Sequence, residues 1–145
     1  MLHYYLILFI IMLIMGVGLN AMNLLAYRLD DLYMSLTLFY GGLVMASNML
    51  WGHELVHFLS MGKINKQIFI LGIILTIIFT ILLRKQYLVD DNNWLRRMIS
   101  HHSTALTTSH KIYNKTNNEK IKKLSKEIIT TQEREIKLMK ELLKN

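Results

Sequence analysis

The sequence predicts an all-α membrane protein: three transmembrane helices followed by a two-helix antiparallel hairpin. Three observations carry this. Hydrophobic residues make up 52% of the 145 residues, and the long apolar runs nearly all lie before Arg84. Of the 17 lysines and arginines, only Arg28, Lys63, Lys66, Arg84 and Lys85 precede Asp91. No proline interrupts either half, as suits uninterrupted helices.

A crossing needs about 20 mainly apolar residues. The first span runs over about 4–26, with Asn20 and Asn23 as its strongly polar members. Met1–Leu2–His3 lacks the basic start of a signal peptide, and no small-x-small cleavage site follows, so a retained span is expected. The second span covers about 32–60. The third covers about 67–84, bracketed by Lys66 and the pair Arg84–Lys85, which can snorkel to the headgroups. The whole region is 1–86, with 87–91 as linker and 92–145 as the hairpin domain. Short loops at Arg28–Asp31 and Gly62–Lys66 make neighbouring spans antiparallel. The count of charges at the span ends leaves open the side of the bilayer that holds the C-terminal domain.

Within 92–145 the spacing predicts a helix to Lys115 whose apolar face is Trp94, Met98, His102, Ala105, Ser109 and Ile112. A turn at 114–118 follows, with Thr116 and Glu119 in capping-box spacing. A second helix over 118–143 carries the stripe Ile121, Leu124, Ile128, Gln132, Glu135, Met139 and Leu142. Its lysines read as a solvated face. No aromatic interleaving accompanies them, so no nucleic-acid partner is expected. A hairpin of this size cannot bury a core alone. A second copy completing a four-helix bundle is the expected solution, a homo-oligomer of two or more chains beside the lipid bilayer.

Two sets of side chains carry metal-ligating chemistry. In the tail, Met98, His101 and His102 on one helix and Gln132, Glu135 and Met139 on the other interrupt apolar seams. Polar groups there cost free energy unless paired or bound to something. Imidazole and thioether without thiolate suit copper, above all Cu(I); zinc is the weaker alternative. In the second span, Met45, Met49, His53, His57 and Met61 recur every four residues, each neighbouring pair one turn apart. A hydrogen-bonded core, with the span histidines bonding to Asn20, Asn23 or Tyr40, is the competing reading. His53-Glu54-Leu55-Val56-His57 matches H-E-x-x-H, yet no third ligand motif or substrate cleft accompanies it, so a metalloprotease is not expected. The absence of cysteine excludes disulfides and thiol chemistry.

The block from Trp94 to Ser109, WLRRMISHHSTALTTS, is similar to the W-M-x-A-M-I-P-H-H-S-x-A-I-x-T-S block of the domain of unknown function 305 family. The stretch Glu127–Lys140 resembles that family's E-I-I-x-x-Q-x-x-E-I-x-x-M-K block. Tyr27–Asp31 and Val89–Asp91 resemble the first loop and the junction of its membrane-anchored members. The resemblance implies a ferritin-like helical bundle in the tail and copper handling through His and Met. By motif position the ligand candidates are Met98, His101, His102, Gln132, Glu135 and Met139. Ser100 stands where the family has proline, so the first tail helix should run straighter. His110 stands at a commonly acidic position, and His53 and His57 replace methionines. The expected function is non-enzymatic copper sequestration or handover; the alternative is a metal-free assembly protein with an oligomerising basic tail.

Overall fold

The computed structural model describes residues 2–144. It is all-helical, and no strand occurs among the described residues. The elements are α1 (Leu2–Gly18), a single turn α2 (Ala21–Leu24), a 3-10 turn (Leu29–Asp31), α3 (Leu36–Met61), α4 (Lys66–Lys85), α5 (Asp91–Lys115) and α6 (Glu119–Leu142). The chain divides into two compact units. One comprises residues 1–20 and 36–88, the other residues 21–35 and 89–145. Residues 21–35, expected from the sequence to lie within the membrane region, thus belong with the tail.

In the first unit α3 packs along both α1 and α4. Close approach is built on glycine: a Cβ at Gly42 would meet Val17 Cγ2 at 2.6 Å, and one at Gly72 would meet the Trp51 nitrogen at 2.8 Å. Small residues at such crossings let helix backbones approach in an apolar setting. Asn65 caps α4 by accepting from the Ile68 N–H. At the other end of α4, Gln86 takes a left-handed conformation and closes the last turn onto the Leu82 and Leu83 carbonyls.

Two stretches, Leu2–Leu24 and Lys66–Lys85, are long and apolar enough to cross a membrane, where the sequence pattern led to an expectation of three. The expected second span does form a helix, and at 26 residues its length is ample. Asn48, His53, Glu54 and His57 dilute its apolarity. The expected first span also ends early as a straight helix. The Asn20 side chain donates to the carbonyls of Gly16 and Val17, so the chain leaves the helix there.

The second unit is a hairpin of α5 and α6 with residues 21–35 strapped across it. Asp90 caps α5 through the Asn93 N–H. The cap of α6 is Asn118, which accepts from Lys120 and Ile121; the expected cap, Thr116, instead accepts from the Asn118 N–H. Thr116 lies two residues too early to reach the first turn. The core is Leu95, Ile99, Leu106, Ile136 and Met139, with Tyr33, Met98, Ile129 and Leu143 packed on it. The packed faces are therefore turned by about one residue from the expected ones. Trp94, Ile112, Ile121, Leu124 and Leu142 are exposed, and Leu95, Ile99 and Ile136 take their places. Two apolar stripes exist on α6, and only one of them packs against α5.

Candidate functional site

His102 is the fixed point of the candidate metal set. Its Nδ1 lies 2.7 Å from the Met98 carbonyl oxygen, one turn back on α5. Its Nε2 lies 2.9 Å from Glu135 Oε2 on α6. A carbonyl can only accept, so Nδ1 carries a proton and donates it. His101 is exposed, its ring nearly perpendicular to that of His102 with centroids 6.0 Å apart. Partial desolvation of the ring, then the neighbouring Arg97 and His102, pushes its pKa below the ordinary histidine value. A neutral imidazole is the form that binds metals.

The six tail candidates sit in different surroundings. Met139 is in the core and Met98 packs against it. Gln132 has its Oε1 buried without a hydrogen-bond partner. Among the described residues no three His, Cys, Asp or Glu side chains gather as a metal-holding group. What the hairpin does bring together is His102 with Glu135, and His101 beside them.

The series in α3 also separates. Met45 is exposed and Met61 more so, at the helix end. His53 and His57 stack at 6.3 Å between centroids. Neither bonds to Asn20, Asn23 or Tyr40. His53 Nε2 lies 3.2 Å from the Tyr4 hydroxyl, and His57 Nδ1 lies 3.0 Å from the Lys63 carbonyl oxygen. Tyr40 donates to the Tyr87 carbonyl instead. The glutamate between the histidines turns inward. Glu54 is 1% exposed, accepts from the Tyr5 hydroxyl, and takes the Asn65 N–H at 2.7 Å. It ties α1 and the start of α4 to α3.

A second polar cluster was not anticipated from the sequence. Asp31 is fully buried. Its carboxylate accepts from Ser103 Oγ at 2.7 Å and forms an ion pair with Lys140 Nζ at 2.6 Å. Lys140 also reaches Asp30 at 2.8 Å, so it is not part of a solvated face. Ser100 donates to the Asp31 carbonyl at 2.8 Å and accepts from the Tyr33 N–H. The family proline at this position could do neither, which gives the departure a structural use: α5 runs unbroken and grips the strap. The signal available in the sequence was the run of small hydroxyls Ser100, Ser103 and Thr104, together with a loop holding two adjacent aspartates.

The chain belongs to the family of the Domain of unknown function (DUF305), whose profile matches residues 84–144. A relative from Acanthamoeba polyphaga mimivirus, described as an uncharacterized protein, is 37% identical over 125 residues, 86% of this chain and 82% of the relative. No solved structure matches the chain.

Proposed function

We propose that this is a multi-pass membrane protein whose hairpin binds copper for sequestration or handover, without catalysing a reaction. The observation that carries the metal reading is the His102–Glu135 pair. An imidazole held by a backbone carbonyl through Nδ1 and directed at a carboxylate through Nε2 has the orientation that outer partners impose on metal-binding histidines. His102 and Glu135 would hold the ion; His101, whose ring lies nearly perpendicular beside them, would have to turn in to complete the set, with the Met98 thioether one turn away. Two imidazoles and a carboxylate suit Cu(II) or zinc as well as Cu(I), so all three ions belong in the test. The histidines in α3 would form a second station.

The multi-pass reading rests on topology. Residues 21–35 and 89–145 form one compact unit, so they occupy the same side of the bilayer. An even number of crossings must then separate them. If α4 crosses, as its length and apolarity allow, α3 crosses too. Its one buried carboxylate is fully hydrogen-bonded, which lowers the cost of burial.

Titration of the detergent-purified protein with Cu(I), Cu(II) and zinc against a competing chelator tests the metal reading. Stoichiometric binding that disappears in the His101→Ala/His102→Ala double variant is the expected result. Equal affinity in the variant excludes the tail site. In the second reading, a metal-free assembly protein, the two partners of His102 are purely structural, and the same titration gives no stoichiometric uptake.

A further inference from the structure

We infer that the hairpin pairs with a second copy of this chain through an antiparallel α6–α6 seam, with Lys120, Glu127, Arg134 and Glu141 setting its register. The inference stands independently of metal binding.

The face of α6 that turns away from the core is apolar for most of its length. Ile121, Leu124, Ile128, Thr131, Glu135, Leu138 and Leu142 follow one another at alternating steps of three and four, the spacing of a coiled-coil seam. Leu124 is 55% exposed and Leu138 54%. The stripe that packs on α5 and the strap is a different one, containing Ile129, Ile136 and Met139. An apolar seam of this kind on a basic, otherwise water-compatible helix calls for a cover.

Charge identifies the cover. On the flank of the open seam, away from α5, one position recurs every seventh residue. It is filled in order by Lys120, Glu127, Arg134 and Glu141, signs alternating. All four are exposed, and none makes an ion pair among the described residues. In an antiparallel pair these flank positions face each other across the seam. One register sets Lys120 against Glu141 of the second copy and Glu127 against Arg134, giving four attractive pairs by symmetry. In that register Ile121 meets Leu138, Leu124 meets Glu135 and Ile128 meets Thr131. A slip of one heptad in either direction places Glu127 against Glu127, or Arg134 against Arg134. The alternation therefore selects both a second copy and one alignment.

The size is adequate. An α6 of 24 residues is about 36 Å long, and a hairpin face about 20 Å wide gives roughly 700 Å² per copy, close to the ~800 Å² of a standard interface. Leu124 of the second copy would then lie over the carboxylate of Glu135, sheltering the His102–Glu135 pair from water.

The test uses the full chain in detergent micelles and two charge-reversed variants, Glu127→Lys/Glu141→Lys and Lys120→Glu/Arg134→Glu. All four positions are on the surface, and circular dichroism verifies that each variant keeps the wild-type helix content. Native mass spectrometry across a dilution series reads the oligomeric state. The wild type is expected to be dimeric, and each variant alone should dissociate at a protein concentration at least tenfold higher. An equimolar mixture should recover a heterodimer with near wild-type stability. A wild-type monomer throughout the series overturns the inference and leaves the bilayer surface or another protein as the cover. Variants that dimerise as the wild type does, or a mixture that recovers nothing, overturn it as well.

Discussion

The hydroxyl of Ser103 donates to the carboxylate of Asp31 at 2.7 Å across 72 residues of sequence, and both side chains are buried. This bond and the Lys140–Asp31 contact at 2.6 Å fasten the strap to both helices of the hairpin.

Removal of that carboxylate should loosen the whole second unit. Asp31→Ala leaves the Ser103 hydroxyl without its buried acceptor and Lys140 with Asp30 alone. Breaking a buried charge pair typically costs about 3 kcal/mol or more. The expected outcome is a loss near that size in denaturant unfolding of the detergent-solubilised protein. Faster hydrogen exchange over residues 27–35 should accompany it. Exchange unchanged from wild type would show that the strap is held by other contacts.

The same cluster sets a pH window. Burial works against the Lys140 ammonium, but its bonds to Asp30 and Asp31 and their attraction outweigh this and raise its pKa above the ordinary 10.5. The Lys140 hydrogen bond lowers the pKa of Asp30 below the ordinary 3.8. A raised basic group stabilises fully below its unfolded value and loses that contribution as pH climbs through the folded one. A lowered acid stabilises above its unfolded value and loses it as pH falls through the folded one. Stability from this contact should be level between the two ordinary values and decline at both extremes. Melting curves of the wild type and Lys140→Met against pH check it, since the variant should show shallower declines at both ends.

Gly72 should not tolerate a methyl group. Alanine in a helix gains about 1 kcal/mol over glycine, but its Cβ would lie 2.8 Å from the Trp51 backbone nitrogen, which cannot swing aside. Overpacking costs about 1–3 kcal/mol, so Gly72→Ala should lower the melting temperature in detergent. Gly41 has open space where a methyl group would sit, and Gly41→Ala on α3 should be neutral or stabilising. Equal effects at the two positions would contradict a close α3–α4 approach at Gly72.

Glu54 should matter more for stability than for metal. Glu54→Ala removes the acceptor of the Tyr5 hydroxyl and the Asn65 N–H, and each orphaned donor costs about 1–3 kcal/mol. A marked drop in thermal stability is expected, with metal uptake at the hairpin unaltered. Wild-type stability in this variant would mean that Tyr5 and Asn65 find other partners.

The helices were legible because their signals are local: apolar length for α1 and α4, and threefold and fourfold spacing for α5 and α6. The packed face of α6 was harder to identify because both of its stripes are apolar. Ile121–Leu124–Leu138–Leu142 is as hydrophobic as the stripe that contains Ile129, Ile136 and Met139. Periodicity alone cannot say which of two such stripes meets α5. At the candidate site the facing of His102 and Glu135 followed from antiparallel pairing. The withdrawal of Met139 and the exposure of His101 depended on the rotation of each helix by a fraction of a turn. The Asp31–Lys140 cluster was missed for another reason: its members are far apart in sequence and carry no shared spacing, so the hydroxyl run and the paired aspartates do not point to each other.

The strap also imposes an order of events during synthesis. Residues 21–35 leave the ribosome well before Ser100, Ser103 and Lys140 exist, so Asp31 waits with its carboxylate in water until the last helix is made. A fragment starting at residue 89 would lack the segment that covers part of its own hairpin.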